Sequence, residues 1–244
     1  MTLAPDTDDR IARHWAERLD CAPGAFADPG VTVTTNPNEG TIRLVRRGET
    51  LVVAAPETVR DALDTHREAL ADAELPATEV VERALTDHDA GVDAVHGPYF
   101  LGYVDEPSFS PADTDARLLV GADRDAFDRL QERVTEDEWA RASPVFRPGQ
   151  TAGLFRDDNL IAVATLTHLP FPDVGVVVDP EHRGQGYGRE VASKITATAF
   201  DVDRDTVVRY RTLDSDSASV ALAASLGYER WATGAVLVLD QGSP

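Results

Sequence analysis

The stretch Val174 to Arg189, VGVVVDPEHRGQGYGR, limits what this chain can fold into more than any other. A β-branched run at Val174, Val176, Val177 and Val178 reads as a buried strand and stops at Asp179-Pro180. Arg183, Gly184, Gln185, Gly186, Tyr187 and Gly188 follow, and Arg189 to Phe200 reads as a helix. Strand, glycine loop and helix start, in that order, can hold an anion. The first N–H groups of a helix have no intrahelical partner and lie at the positive end of its dipole. Glycines let the backbone come close to the anion, and Arg183 adds a full charge. A glycine cluster also marks an ordinary tight turn, so the flanking elements must decide between the two.

Spacing removes two phosphate cradles. A P-loop needs G-x-x-x-x-G-K-[ST], and no Lys-Ser or Lys-Thr occurs. A dinucleotide fingerprint needs G-x-G-x-x-G, whereas Gly184, Gly186 and Gly188 run G-x-G-x-G. The Arg183-x-x-Gly186-x-Gly188 spacing resembles the R/Q-x-x-G-x-G/A signature of the GNAT acyltransferase superfamily. In that family the loop holds the pyrophosphate of acetyl-CoA.

The elements around the loop follow from hydrophobic periodicity. Apolar residues at Ile11, Ala12, Trp15 and Leu19 make a helical stripe over Thr7 to Leu19. Val31 to Thr35, Thr41 to Val45 and Thr50 to Ala55 read as three strands with turns between them, which predicts a meander. Pro56-Glu57 opens a helix to Asp72, and a second helix covers Thr78 to Leu85. Ala94 to Val104 is a strand or buried connection. Glu106-Pro-Ser-Phe-Ser-Pro-Ala-Asp reads as a linker. Beyond it come a strand at Arg117, a helix over Asp123 to Val134, and a capping box of Thr135 with Glu138 opening another helix, in which Trp139 packs. Thr151 to Leu169 makes a hairpin with its turn at Arg156-Asp-Asp-Asn. After the loop helix, Thr206 to Leu213 is a strand. Ala218 to Leu226 is a helix ended by Gly227, and Trp231 to Leu239 is the closing strand.

That order from residue 117 onward is the GNAT order. A second segment, Asp216-x-Ala218-Ser219 with Leu226-Gly227-Tyr228, resembles the family's N-x-A-S … L-G-F. The chain is therefore similar to GNAT N-acetyltransferases over its C-terminal 130 residues or so. The expected fold is α/β with a mixed sheet: a GNAT domain over 111–244 after a smaller α/β region over 1–110. Val52-Val53-Ala-Ala-Pro56-Glu57-Thr-Val-Arg60 echoes Val177-Val178-Asp-Pro180-Glu181-His-Arg183 without the glycines. The first part thus reads either as a degenerate GNAT-like half or as a chance match.

The resemblance implies a set of roles. Val176, Val177 and Val178 would offer a free strand edge to the pantetheine arm, and their N–H groups could meet a tetrahedral oxyanion. Gly184, Gln185, Gly186, Tyr187, Gly188 and Arg189 would surround the pyrophosphate, with Arg183 at the signature position. Two positions depart from the family. Asp216 stands where an asparagine often touches the cofactor, and serves either as a ligand or as a helix cap. Ala223 stands where many members carry a tyrosine general acid, which leaves Tyr228 or Tyr210 as substitutes or as packed aromatics. A base for the attacking amine would come from Asp173 or His168, while His182 reads as a turn residue. The implied reaction is acetyl transfer from acetyl-CoA to an amine of a small molecule or protein by direct attack in a ternary complex. The alternative is a CoA-binding regulatory module without chemistry.

Composition narrows the partners. The formal charge is −20, from 43 acidic against 23 basic residues, and Lys194 is the only lysine. With 42% apolar residues this is a folded domain under an acidic surface rather than a disordered acidic chain. Acid excess with lysine depletion resembles proteins of salt-loving organisms. Such a surface argues against nucleic acid and anionic membranes as partners. Cys21, the only cysteine, excludes an intrachain disulfide and a multi-cysteine metal site, and it reads as a packed thiol. MTLAPDTDD carries no apolar signal core, so a cytoplasmic location is expected. No metal is called for, and the oligomeric state stays open.

Overall fold

The computed structural model describes residues 2–38, 40–88, 90–167 and 170–240. In chain order its elements are α1 (Pro5–Arg18), β1 (Gly30–Thr35), β2 (Thr41–Arg47), β3 (Thr50–Ala55), α2 (Glu57–Thr65), α3 (Arg67–Asp72), α4 (Thr78–Leu85) and β4 (Val92–Val104). There follow β5 (Arg117–Leu118), α5 (Arg124–Arg133), α6 (Glu136–Ala142), β6 (Thr151–Arg156), β7 (Asn159–Thr167) and β8 (Asp173–Val178). The chain ends with α7 (Tyr187–Val202), β9 (Val208–Leu213), α8 (Ser217–Ser225) and β10 (Glu229–Leu239). Contacts divide it into two units. One takes Ala4–Leu101, Thr212–Ser217 and most of β10; the other takes Gly102–Arg211 and Ala218–Glu229.

In the N-terminal unit the strand order is β1-β3-β2-β10-β4. The expected meander is corrected here: β1 lies parallel to β3, and β2 pairs with β3 antiparallel on its other side. The reason lies in β3 itself. TLVVAA is buried at every position, so it needs cover on both faces and a strand on both edges. Half-polar β1, with every residue at least partly accessible, suits the outside. The helix expected from Pro56 to Asp72 breaks in two at His66. There the Thr65 hydroxyl donates to the Ala62 carbonyl at 2.7 Å, and such back-bonding competes with helix continuation. Val59, Leu63, Leu70, Val81 and Leu85 pack onto Ile42, Leu44, Leu51 and Val53 to form the core.

The C-terminal unit carries the strand order β9-β8-β7-β6-β5. Its hairpin β6–β7 turns through Asp157 and Asp158 at φ +48 and +62, the left-handed pair that a two-residue hairpin loop requires. Helices α5 and α6 cover one face, where Phe127 and Leu130 meet Leu160, Val163 and Val177. Burying each such side chain is worth about 1.5–3 kcal/mol. Trp139 packs edge-on against Phe127 with ring centroids 5.2 Å apart. Helix α7 covers the other face through Val191, Ala192, Ile195 and Ala199.

The segment after Val104 that reads as a linker is tied down. Asp105 and Ser108 are buried, the Ser110 N–H donates to Leu226 O at 3.0 Å, and the Ala112 N–H donates to Ser193 Oγ at 2.8 Å. Proline and serine here serve a packed turn rather than slack. Among the described residues, no helix is long and apolar enough to cross a membrane.

Candidate functional site

β8 pairs with β7 along its whole length, from Asp173↔Thr167 to Val178↔Ala162. Its other edge behaves differently. Among the described residues, β8 and β9 share a single paired position, Asp173↔Arg209, reinforced by the Arg209 N–H donating to Pro172 O at 2.8 Å. Beyond that rung the two parallel strands part, which turns the β9-side edge of Val174 to Val178 toward a wedge. Alternation puts Asp173, Gly175 and Val177 on the α5/α6 face, and Val174, Val176 and Val178 on the α7 face.

At the open end of the wedge the chain enters the glycine loop. Asp179 anchors it. The Asp179 carboxylate is 3% exposed and accepts from Arg133 Nε at 2.6 Å and from the Glu181 N–H at 3.0 Å. Burial alone would push this carboxyl up. The Arg133 and Glu181 hydrogen bonds outweigh it and hold the group below the usual carboxylate range. His182 Nδ1 lies 3.6 Å from the same carboxylate.

Helix α7 begins at Tyr187, two residues earlier than periodicity predicts, because Gly186 caps it in the left-handed region at φ +86 and ψ −4. Gly188 then falls in the first turn, where an added Cβ would come 3.0 Å from Leu222 Cδ1 and 3.3 Å from Val178 Cγ2. The two glycines therefore do different work. Gly186 supplies a backbone conformation, and Gly188 lets the helix start close to the strand.

Around the loop, Arg183 Nε donates to Val178 O at 3.3 Å, and its Nη1 pairs with Glu138 at 2.9 Å. Hydrogen bonding to Arg183 is the largest effect holding the Glu138 carboxyl below its ordinary range. Thr135 completes the expected cap of α6, its hydroxyl accepting from the Glu138 N–H at 3.4 Å. The Tyr187 hydroxyl donates to Gln185 Oε1 at 3.2 Å. Arg189 Nε donates to Ser225 Oγ at 3.0 Å, tying α7 to α8.

At the closed end, Asp173 Oδ2 accepts from Arg209 Nη2 at 2.9 Å, with both side chains mostly buried. Burial disfavours the Arg209 charge, but Asp173 more than offsets it and the group stays above its usual range. Tyr228 is 2% exposed and its hydroxyl shares a 2.6 Å hydrogen bond with Thr196. Burial pushes its phenol up. Ala223, at the position where the family resemblance leads one to look for a general acid, is fully buried. His168 lies outside the described residues. Asp216 is exposed in the turn before α8; it belongs to Thr212–Ser217, which groups with the N-terminal unit.

So Val176 to Val178, Arg183 to Arg189 and Asp173 all lie along one strand, loop and helix start. Four residues that sequence spacing does not flag also stand there. Arg133 holds Asp179, Glu138 holds Arg183, and Arg209 holds Asp173. Arg156 places its guanidinium carbon 5.2 Å from the centre of the Tyr187 ring. Each is brought in from a distant element, so no local pattern marks it as part of this site. Among the described residues, no group of His, Cys, Asp and Glu side chains is arranged to hold a metal ion.

Residues 117–228 match the model of the Acetyltransferase (GNAT) family. No curated protein matches the sequence. Among solved structures, the chain is similar to a GCN5-related N-acetyltransferase from Sphaerobacter thermophilus, at 15% identity and TM-score 0.53 over 99% of this chain and 95% of that one. It is also similar to a GCN5-related N-acetyltransferase from Kribbella flavida, at 20% identity and TM-score 0.51 over 98% of each chain. A GNAT-family acetyltransferase from Colwellia psychrerythraea aligns at 13% identity and TM-score 0.51, over 98% of this chain and 99% of that one. At such identities the likeness concerns the fold, and it runs through both units. Residues 117–228 of this chain are an acetyltransferase domain of the GNAT family.

Proposed function

We propose that the C-terminal unit moves an acetyl group from acetyl-CoA to an amine, by direct attack of the bound amine on the thioester. The observation that carries this reading is the single-rung opening of β8 from β9, which runs straight into a left-handed glycine cap at the start of α7. A strand edge that parts from its neighbour after one rung suits the two amides of a pantetheine arm. The loop and helix start suit its pyrophosphate, with Arg183 and Arg189 at hand. Charge-assisted hydrogen bonds contribute about 1.5–3 kcal/mol each, so a few of them reach micromolar affinity.

Asp173 stands at the closed end where a thioester would lie, and serves as base only if its carboxylate leaves Arg209. Tyr228 serves as general acid only if its hydroxyl leaves Thr196. Asp216 serves the cofactor only if its turn meets it. A second reading has one observation behind it. With Ala223 at the acid position and Tyr228 bonded inside the core, a CoA-binding module without turnover fits the same pocket.

Calorimetry with CoA and acetyl-CoA, followed by thiol release over a panel of amines, decides between them. Binding with turnover on at least one amine supports the transferase. Tight binding without turnover supports the module, and no binding of either ligand refutes both.

A further inference from the structure

The closed end of the wedge is built more heavily than a strand junction requires. The one backbone rung, Asp173↔Arg209, is doubled by the ion pair of the same two side chains at 2.9 Å. Arg209 is 8% exposed, and Tyr103 stands close enough to favour its charge beside Asp173. Tyr103 is fully buried and packs edge-on against Phe171 at 5.5 Å. On the opposite face the Tyr210 and Tyr228 rings meet at 5.5 Å, with the Tyr210 hydroxyl on Ser219 Oγ at 3.0 Å. Near the rung, the end of α6 presses on β8: a Cβ at Gly175 would overlap the Ala142 carbonyl oxygen. Two buried polar atoms, Asp173 Oδ1 and Arg209 Nε, stay without hydrogen-bond partners. A buried pair is costly to desolvate, so a stiff polar barrier stands where an apolar pair would pack at lower cost.

Length gives the barrier a use. Between pyrophosphate and thioester sulfur, the pantetheine arm has about 13 bonds, which at the ~1.2 Å advance per bond of an extended chain spans ~15 Å. β8 advances ~3.3 Å per residue, so the edge from Val178 back to Asp173 covers ~16 Å. An arm laid along this edge from the loop therefore ends with its sulfur at the rung and its acyl group against it.

Building on the acetyl-CoA reading, we propose that the Asp173–Arg209 pair is the stop that sets the length of the acyl group. The wedge admits the arm with a two-carbon acyl group and excludes longer ones, because the chain beyond would have to displace a bonded pair backed by Tyr103.

The test is calorimetry of the full-length protein with acetyl-, propionyl- and butyryl-CoA and no acceptor amine. The wild type is expected to bind butyryl-CoA at least tenfold more weakly than acetyl-CoA. Asp173→Ala with Arg209→Ala removes both halves of the stop, leaves neither charge unpaired, and is expected to shrink that gap below threefold. Asp173→Asn with Arg209→Met keeps the bulk without the charges and is expected to keep most of the discrimination, which also covers the case in which the alanine pair does not fold. Equal affinity of the wild type for all three thioesters overturns the proposal while leaving the acetyl-CoA reading intact. So does an unchanged gap in a folded alanine pair. Failure of the wild type to bind acetyl-CoA overturns both.

Discussion

Replacing Gly186 by valine isolates the conformational requirement of the cradle. Gly186 sits at φ +86 and ψ −4, and a Cβ there meets nothing within 4 Å. The penalty is therefore not a clash. It is the cost of holding an L-residue in the left-handed region, about 1–2 kcal/mol and towards the upper end for a β-branched side chain. For a chain of this size that amounts to a fall in Tm of ~2–8 °C.

Binding should suffer more than stability. If the loop escapes the strain by rotating to negative φ, the N–H groups at the start of α7 turn away from the anion. Losing one charge-assisted hydrogen bond at about 1.5–3 kcal/mol weakens CoA binding by roughly ten- to a hundredfold. Gly48→Val is the control. Gly48 has φ +56 and equally open space around it, but it lies in the turn between β2 and β3. Calorimetry with CoA, beside thermal unfolding of both variants, should show similar losses of Tm and a loss of affinity in Gly186→Val alone. Wild-type affinity in a destabilised Gly186→Val would refute the assignment of this loop as the anion cradle.

Other residues give sharper local tests. Glu138→Gln frees Arg183 from an exposed ion pair worth about 0.3–1 kcal/mol, so CoA affinity at low salt should rise about two- to fivefold and the gain should vanish in high salt. Tighter binding that persists in high salt would rule out the ion pair as its cause. Asp179 is held below the ordinary carboxylate range, so its contribution is complete above that range and is lost as pH falls through its lowered folded value. Arg133→Met should destabilise the protein near neutrality and flatten the acid limb of its stability profile in denaturant titrations; a limb as steep as the wild type's would contradict this. Tyr228→Phe breaks the bond with Thr196 and should cost about 1 kcal/mol of stability, with kcat changed only a few-fold. A hundredfold fall in kcat at constant KM would instead make Tyr228 the proton donor. Finally, a net charge of −20 repels itself at low ionic strength, so the melting temperature should climb steadily into molar salt, and a flat profile would remove the halophile interpretation.

Much of the architecture could be read from residue order, because local rules decide it. A β-branched run makes Val174 to Val178 a strand, and Asp-Asp between apolar runs makes a hairpin turn. Thr135 with Glu138 starts a helix, and the glycines of Arg183-x-x-Gly186-x-Gly188 start another. These depend on neighbours within a turn or two, and the chain itself holds those neighbours together. Misreadings arose where the deciding partner was remote. The side of β3 on which β1 pairs depends on which edges of a fully buried strand need covering. A Pro-Ser segment becomes a packed turn only when Leu226 and Ser193 arrive to bind it.

The charges around the loop follow the same logic. Nothing local ties Arg133, Glu138 or Arg209 to the loop or the wedge, and each acquires that place from a partner more than thirty residues away. Sequence alone thus marked a glycine loop between a strand and the start of α7. Only the tertiary structure decided where β8 leaves β9, because that point depends on one cross-strand pair, Asp173 with Arg209, that no local pattern records.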